Sequence, residues 1–333
     1  MSSQWQLRIA AIAIAIVVLL TLPIWIDNAY YVNISSQILL FAVFALALNV
    51  LVGYGGLVSL GHAGLFAIAG YAGALMLQAG YGHLVSDLTA IALTLVAAAV
   101  FAVLALRSTG IGFLMITLAL GQIVWGVAYR WASLTNGDNG VNVPGRPHPF
   151  GLSLAGANAF YYAALVVFLL AVVSMAIFVR SPFGVSLAGT RDQPRRMTAL
   201  GFHVWLIRFF AFLFSGFWSA IAGLLFIYYT NFISPQVASL QASAEVLLMV
   251  ISGGTATLLG PIAGAAIVVL MKNVVSAYVE RWNLVLGVIF VLIITFMPEG
   301  LVPGSARIWR AGWRSFRTRG AARVLPNVAE PPG

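Results

Sequence analysis

The chain has 333 residues, of which 62% are hydrophobic and only 8% charged, against about 25% charged residues in soluble domains. That gap, with a mean hydropathy of +1.01, excludes a soluble globular protein and leaves room for roughly eight to ten membrane helices at about 20 apolar residues each. The net charge of +9 comes from clustered arginines, which argues for membrane topology and against a nucleic-acid surface. Without cysteine there is no disulfide framework and no thiolate metal site.

Apolar segments lie near 9–26, 33–52, 62–79, 88–106, 110–130, 159–179, 206–229, 243–259, 261–279 and 283–298. The first follows Arg8 and continues for a full span without a small-residue cleavage site, so it reads as a retained helix and not as a signal peptide. The second runs into Gly53-Tyr-Gly-Gly-Leu-Val-Ser-Leu-Gly-His-Ala-Gly64, with five glycines in twelve residues. Glycine at this density weakens helix. Broken helix at membrane depth is tolerated only where the backbone is buried in protein or lines a wet cavity. Gly53, Gly55, Gly56, Ser59, Gly61, His62 and Gly64 are therefore expected along a translocation pathway. The alternative is that such glycines only let helices pack closely. His62 could contact a solute carboxylate or titrate near neutral pH, or it could cap the broken helix or bond a carbonyl.

Beyond the fifth segment, a turn-rich outer loop at 131–158 is expected to fold over the extracytoplasmic mouth. Beyond the sixth, an inner loop at 180–205 holds four arginines, Arg180, Arg191, Arg195 and Arg196. Pro182 and Gly184 are expected to end the sixth span. Residues 185–193 could form a short amphipathic helix on the membrane surface, stopped by Pro194, or the loop could merely set topology. A second glycine cluster, Ser252-Gly-Gly-Thr-Ala-Thr-Leu-Leu-Gly-Pro-Ile-Ala-Gly264, loosely repeats the first. Paired interruptions in two halves of a membrane protein point to a transport site, which adds Gly253, Gly254, Gly260 and Pro261 to the expected pathway. Gly260 and Gly264, like Gly70 and Gly73, could do no more than allow close helix packing.

Arginines at 180–196 and in the tail (Arg307, Arg310, Arg314, Arg317, Arg319, Arg323) place both termini and the 180–205 loop inside. The fold class expected is all-α: a polytopic integral membrane protein of about ten transmembrane helices with glycine-rich breaks, the exact split between crossings and re-entrant pieces left open. A membrane domain would occupy 1–304 and a basic, partly disordered tail 305–333. Only Glu245 and Lys272 read as membrane-embedded charges, and both could snorkel to a span end; Asp87, Glu280 and Glu299 sit at predicted ends. A carrier driven by an ion gradient would show more acids at depth. No P-loop, HExxH or nucleophile with a base and orienting acid is present. No catalytic residue, metal or cofactor is thus expected, and a solute moved uphill would draw its energy from elsewhere.

Four blocks resemble the permease subunits of branched-chain amino acid ABC importers, particularly the longer of the two permeases. They are Leu46 to Gly64, Arg180 to Gly184 with Arg191-Asp192 and Ala199 to Gly201, Asn231 to Pro235, and Glu245 to Pro261. The resemblance implies a second homologous permease, two cytoplasmic ATPases, a periplasmic solute-binding protein and an inner-membrane location. It also implies that a short cytoplasmic helix docks on an ATPase, with Arg180, Pro182, Phe183, Gly184, Arg191 and Asp192 as the coupling residues. The solute would be a branched-chain or related amino acid, with urea, short amides and aromatic acids as alternatives within the family and an ion-coupled secondary transporter as an alternative outside it. The chain departs from the family pattern at Pro194, where an acidic residue is usual, and at Val58, where glutamine is common.

Overall fold

The computed structural model describes residues 14, 17–25, 28–143, 145, 156–276, 278, 281–297 and 300–304. Arg8, the stretch of the outer loop around Arg146 and His148, Glu280, Glu299 and the tail 305–333 lie outside them. The described residues are almost all helical. We label the main helices α1 (Ala29–Asn49), α2 (His62–Gln78), α3 (His83–Ala105), α4 (Ile111–Arg130), α5 (Ala157–Arg180), α6 (Pro182–Asp192), α7 (Pro194–Ala199), α8 (Val204–Thr230), α9 (Leu240–Gly253), α10 (Leu259–Val275) and α11 (Trp282–Phe296). A helical stretch at 17–25 precedes them and is tied to α5 by the Tyr161 hydroxyl donating to the Leu19 carbonyl at 2.7 Å. Each apolar segment read from the sequence therefore has a helical counterpart.

Among the described residues, five helices are long and apolar enough to cross a membrane: α1 with its extension to Tyr54, α3, α4, α5 and α8. Two of them form the middle of the bundle, since 78% of the α1 window and 67% of the α8 window are buried, against 22–33% for α3, α4 and α5. The outer helices present Leu88, Val96, Ile123, Val166 and Val173 on their exposed faces, as a lipid-facing or partner-facing surface requires. α2, α9 and α10 are shorter, with 17, 14 and 17 residues. At 1.5 Å per residue they reach about 20–25 Å, less than the roughly 30 Å hydrocarbon core. Each of these short helices borders one of the two glycine clusters.

Small residues set the central packing, as expected where lipid supplies no hydrophobic drive between helices. A side chain at Gly223 of α8 would strike the Phe66 carbonyl of α2, and one at Gly73 would meet Leu224 at 2.8 Å. The outer loop does not stand free. β1 (Val141–Asn142) pairs antiparallel with β2 (Phe232–Ile233), Val141 opposite Ile233, and Gln78 donates to the Asn142 carbonyl at 2.9 Å.

Candidate functional site

The first glycine cluster begins where α1 loosens. Residues Val50–Tyr54 form a π-turn, with the Gly55 amide reaching back to the Val50 carbonyl at 3.0 Å. Such wide turns arise when the regular ladder is interrupted. The interruption here is a contact with the other cluster. The Asn49 side chain, 1% exposed, donates to the Thr257 carbonyl at 2.8 Å and accepts from the Ala256 amide at 3.2 Å. A side chain at Gly53 would collide with the Ala256 backbone. The clusters that the sequence pairs by likeness are thus packed against one another, backbone to backbone. Asn49, which the sequence reading passed over, is the clasp. A lone amide in a long apolar run was the available signal.

The second cluster is tighter still. A side chain at Gly253 would strike the Gly260 carbonyl, one at Gly260 the Gly254 carbonyl, and one at Gly264 the Met249 carbonyl. α9 and α10 therefore meet at their backbones. Gly254 turns the chain at φ +118°, a conformation open mainly to glycine. Thr257 then closes the turn, donating to the Gly254 carbonyl at 2.8 Å and accepting from the Gly260 amide at 3.0 Å. Pro261 sits in the first turn of α10, where a missing N–H leaves no intrahelical bond unmade. Of the eleven residues expected along a pathway, ten are buried within this chain and only Gly56 is exposed.

His62 opens α2 and is 1% exposed. Its Nε2 lies 2.9 Å from the Ser215 hydroxyl, which itself donates to the Ala47 carbonyl at 2.6 Å. Having spent its proton there, Ser215 can only accept from Nε2–H. Nδ1 lies 2.9 Å from Ser59, so the Ser59 hydroxyl donates to it. A neutral imidazole satisfied on both sides follows from this assignment. It ties the return segment, α8 and α1 together, and no face of it is open to a solute.

The inner loop begins where expected and contains two helices, the first starting at Pro182 and not at 185. Ser181 ends α5 and caps α6, accepting from the Gly184 amide at 3.2 Å, with Pro182 in the first turn. Gly184 lies inside α6, where a side chain would collide with the Phe178 carbonyl. Phe183 packs against Phe178 at 5.3 Å between ring centroids. Pro194 both stops α6 and starts α7, because proline is unfavourable within a helix and well suited to its first turn. Arg191, in the last turn of α6, donates from Nη1 to the Gly53 carbonyl at 2.6 Å. Its aliphatic stem lies over Gly56, which has φ +65°. Nε of Arg191 bonds Asp192 at 2.8 Å, on the exposed side. Arg208 of α8 grips the same helix end, donating to the Thr190 carbonyl at 2.7 Å. Arg180, Arg195 and Arg196 are exposed.

At the opposite ends of α9 and α10 lies a cavity of about 250 Å³. Phe41, Phe44, Phe66 and Phe226 line it together with the polar side chains of Gln236, Ser239, Gln241, Glu245 and Lys272. Glu245 and Lys272 do not snorkel apart. Their charged groups are 3.2 Å from each other, and Gln241 donates to Glu245 at 3.1 Å. None of the eleven expected pathway residues borders this cavity. Gln236 also lies 3.4 Å from Asp138 of the outer loop, which puts the cavity at the outer-loop end and the glycine seam at the arginine-rich end.

A family model described as "branched-chain amino acid transport system / permease component" matches residues 30–295. The chain is 30% identical over 297 residues to the high-affinity branched-chain amino acid transport system permease protein LivM of Escherichia coli K12, covering 82% of this chain and 70% of that protein. It is likewise 30% identical over 301 residues to LivM of Salmonella typhimurium LT2, with the same coverage. A shorter likeness, 35% over 112 residues and 32% of this chain, links it to the autoinducer 2 import system permease protein LsrC of Yersinia enterocolitica. No solved structure matches.

Proposed function

Because the chain belongs to the family of branched-chain amino acid transport system permease components, we propose that it is the membrane-spanning permease subunit of an ATP-driven importer in the bacterial inner membrane, pairing with a second permease, two cytoplasmic ATPases and an extracytoplasmic binding protein. Its solute is a branched-chain or related amino acid. The observation that carries the reading is the Arg191 contact: the helix offered to a cytoplasmic motor is bonded directly to the Gly53 carbonyl at the helix break.

The mechanism follows from that contact. Closure of the ATPases on ATP moves α6 and α7. Arg191 transmits the displacement to the π-turn at 50–54, and the Asn49 clasp passes it to the turn between α9 and α10. Both glycine clusters lack side chains where the backbones touch, so the helices can tilt about the seam without side-chain interlocking. ATP hydrolysis itself belongs to the separate ATPase subunits. The acids do not favour an ion-coupled carrier: Glu245 is paired with Lys272, and Asp87, near the start of α3, accepts a 2.6 Å bond from Tyr228.

The test replaces Arg191 and Asp192 together with alanine. ATPase co-purification and ATP-dependent leucine uptake in proteoliposomes are then measured. Loss of uptake, with or without loss of the ATPases, is the expected result; unchanged binding together with unchanged uptake would sink the docking claim.

A further inference from the structure

The Glu245–Lys272 cavity has no role in the coupling route just described. Two opposite charges at membrane depth are costly to desolvate, and their mutual attraction offsets that cost only partly. Here they are also not sealed off. The Glu245 side chain is 12% exposed and that of Lys272 42%, and both border open space. Aromatic rings line the same space, Phe44 and Phe66 with centroids 4.6 Å apart and Phe66 and Phe226 5.4 Å apart. A site that combines opposed charges with aromatic rings matches a molecule with a zwitterionic head and an apolar tail. Size agrees as well. The open space, about 250 Å³, is large enough to take a small solute. Urea or a simple amide carries no charges to exchange with the Glu245–Lys272 pair.

We propose that this cavity is a solute-holding station for an aliphatic α-amino acid. The solute ammonium displaces Lys272 from Glu245, the solute carboxylate bonds the freed Lys272 ammonium, and the alkyl chain lies on Phe44, Phe66 and Phe226. Gln241 keeps the Glu245 carboxylate aimed into the space. One ion pair is exchanged for two, with no net charge added to the membrane interior. The proposal rests on the importer reading and goes beyond it by naming the residues that meet the solute.

The test uses the whole reconstituted importer with its binding protein. Glu245→Gln and Lys272→Met should each lower the apparent affinity for leucine at least about tenfold, as loss of a charge-assisted bond predicts, with the complex still assembled. The charge exchange Glu245→Lys with Lys272→Glu separates a solute site from a structural ion pair. The exchange restores the pair and should restore thermal stability, while leucine uptake stays low because the zwitterion meets reversed charges. Normal leucine affinity in either single variant, or full recovery of uptake in the exchanged protein, would overturn the proposal. If the wild-type complex shows no ATP-dependent leucine uptake at all, it is the importer reading that fails.

Discussion

The glycine seam and the cavity occupy opposite ends of the same two helices. Glu245 precedes Gly253 by eight residues and Lys272 follows Gly264 by eight, so about 12 Å of helix separates them on each strand of the hairpin. The seam is largely buried and made mostly of backbone, whereas the cavity is open, charged and made of side chains. The difference teaches what glycine density signals in a membrane protein. At 53–64 and 253–264 it reports where backbones must touch, and the polar chemistry lies one helix length away. In the proposed mechanism α9 and α10 act as levers, moved at the seam and read out at the cavity.

Several substitutions can break or sharpen that contrast. The largest effect is expected from Gly264→Val, whose side chain would enter the Met249 carbonyl. Backbone cannot yield as a side chain can, so destabilisation of about 3 kcal/mol or more follows. Detergent-solubilised protein should lose its thermal transition or its monodisperse elution. Gly126→Ala is the matched contrast, since nothing lies within 4 Å of that position; it should hold or raise the melting temperature, by up to about 1 kcal/mol of helix propensity.

Asn49→Ala comes next. It removes both bonds across the seam and leaves a half-buried amide and carbonyl unpaired, costing about 1–2 kcal/mol. The melting temperature should fall, and hydrogen exchange should quicken at Ala256. Protection unchanged at Ala256 would show that the two clusters are merely adjacent.

The smallest effect on stability is expected from Arg191→Ala. Its ion pair with Asp192 is exposed and adds little. Loss of the Gly53 bond costs about 1 kcal/mol. A small shift in melting temperature with several-fold less solute moved per ATP would mark Arg191 as a transmitter and not a support.

Much of this was legible in the chain. The apolar segments, the two breaks and the arginine-rich inner loop follow from composition and spacing alone, because lipid permits so few backbone solutions. What was not legible is which faces meet. Glu245 and Lys272 read as isolated charges, being 27 residues apart on helices whose facing sides periodicity does not reveal. Asn49 was hidden for the same reason, its partners lying about 200 positions away. His62 read as chemistry or structure, and two serine hydroxyls from distant segments decide for structure. Pro194 read as a stop, and the reading missed that a proline also starts the next helix well.

The division of labour between seam and cavity is tested most directly by one paired assay. Leucine uptake and ATP hydrolysis are followed together across leucine concentrations in the reconstituted importer, for Arg191→Ala and Lys272→Met. The account predicts that Arg191→Ala lowers leucine moved per ATP at an unchanged apparent affinity, while Lys272→Met weakens apparent affinity. The reverse assignment, or the same change in both variants, would contradict it.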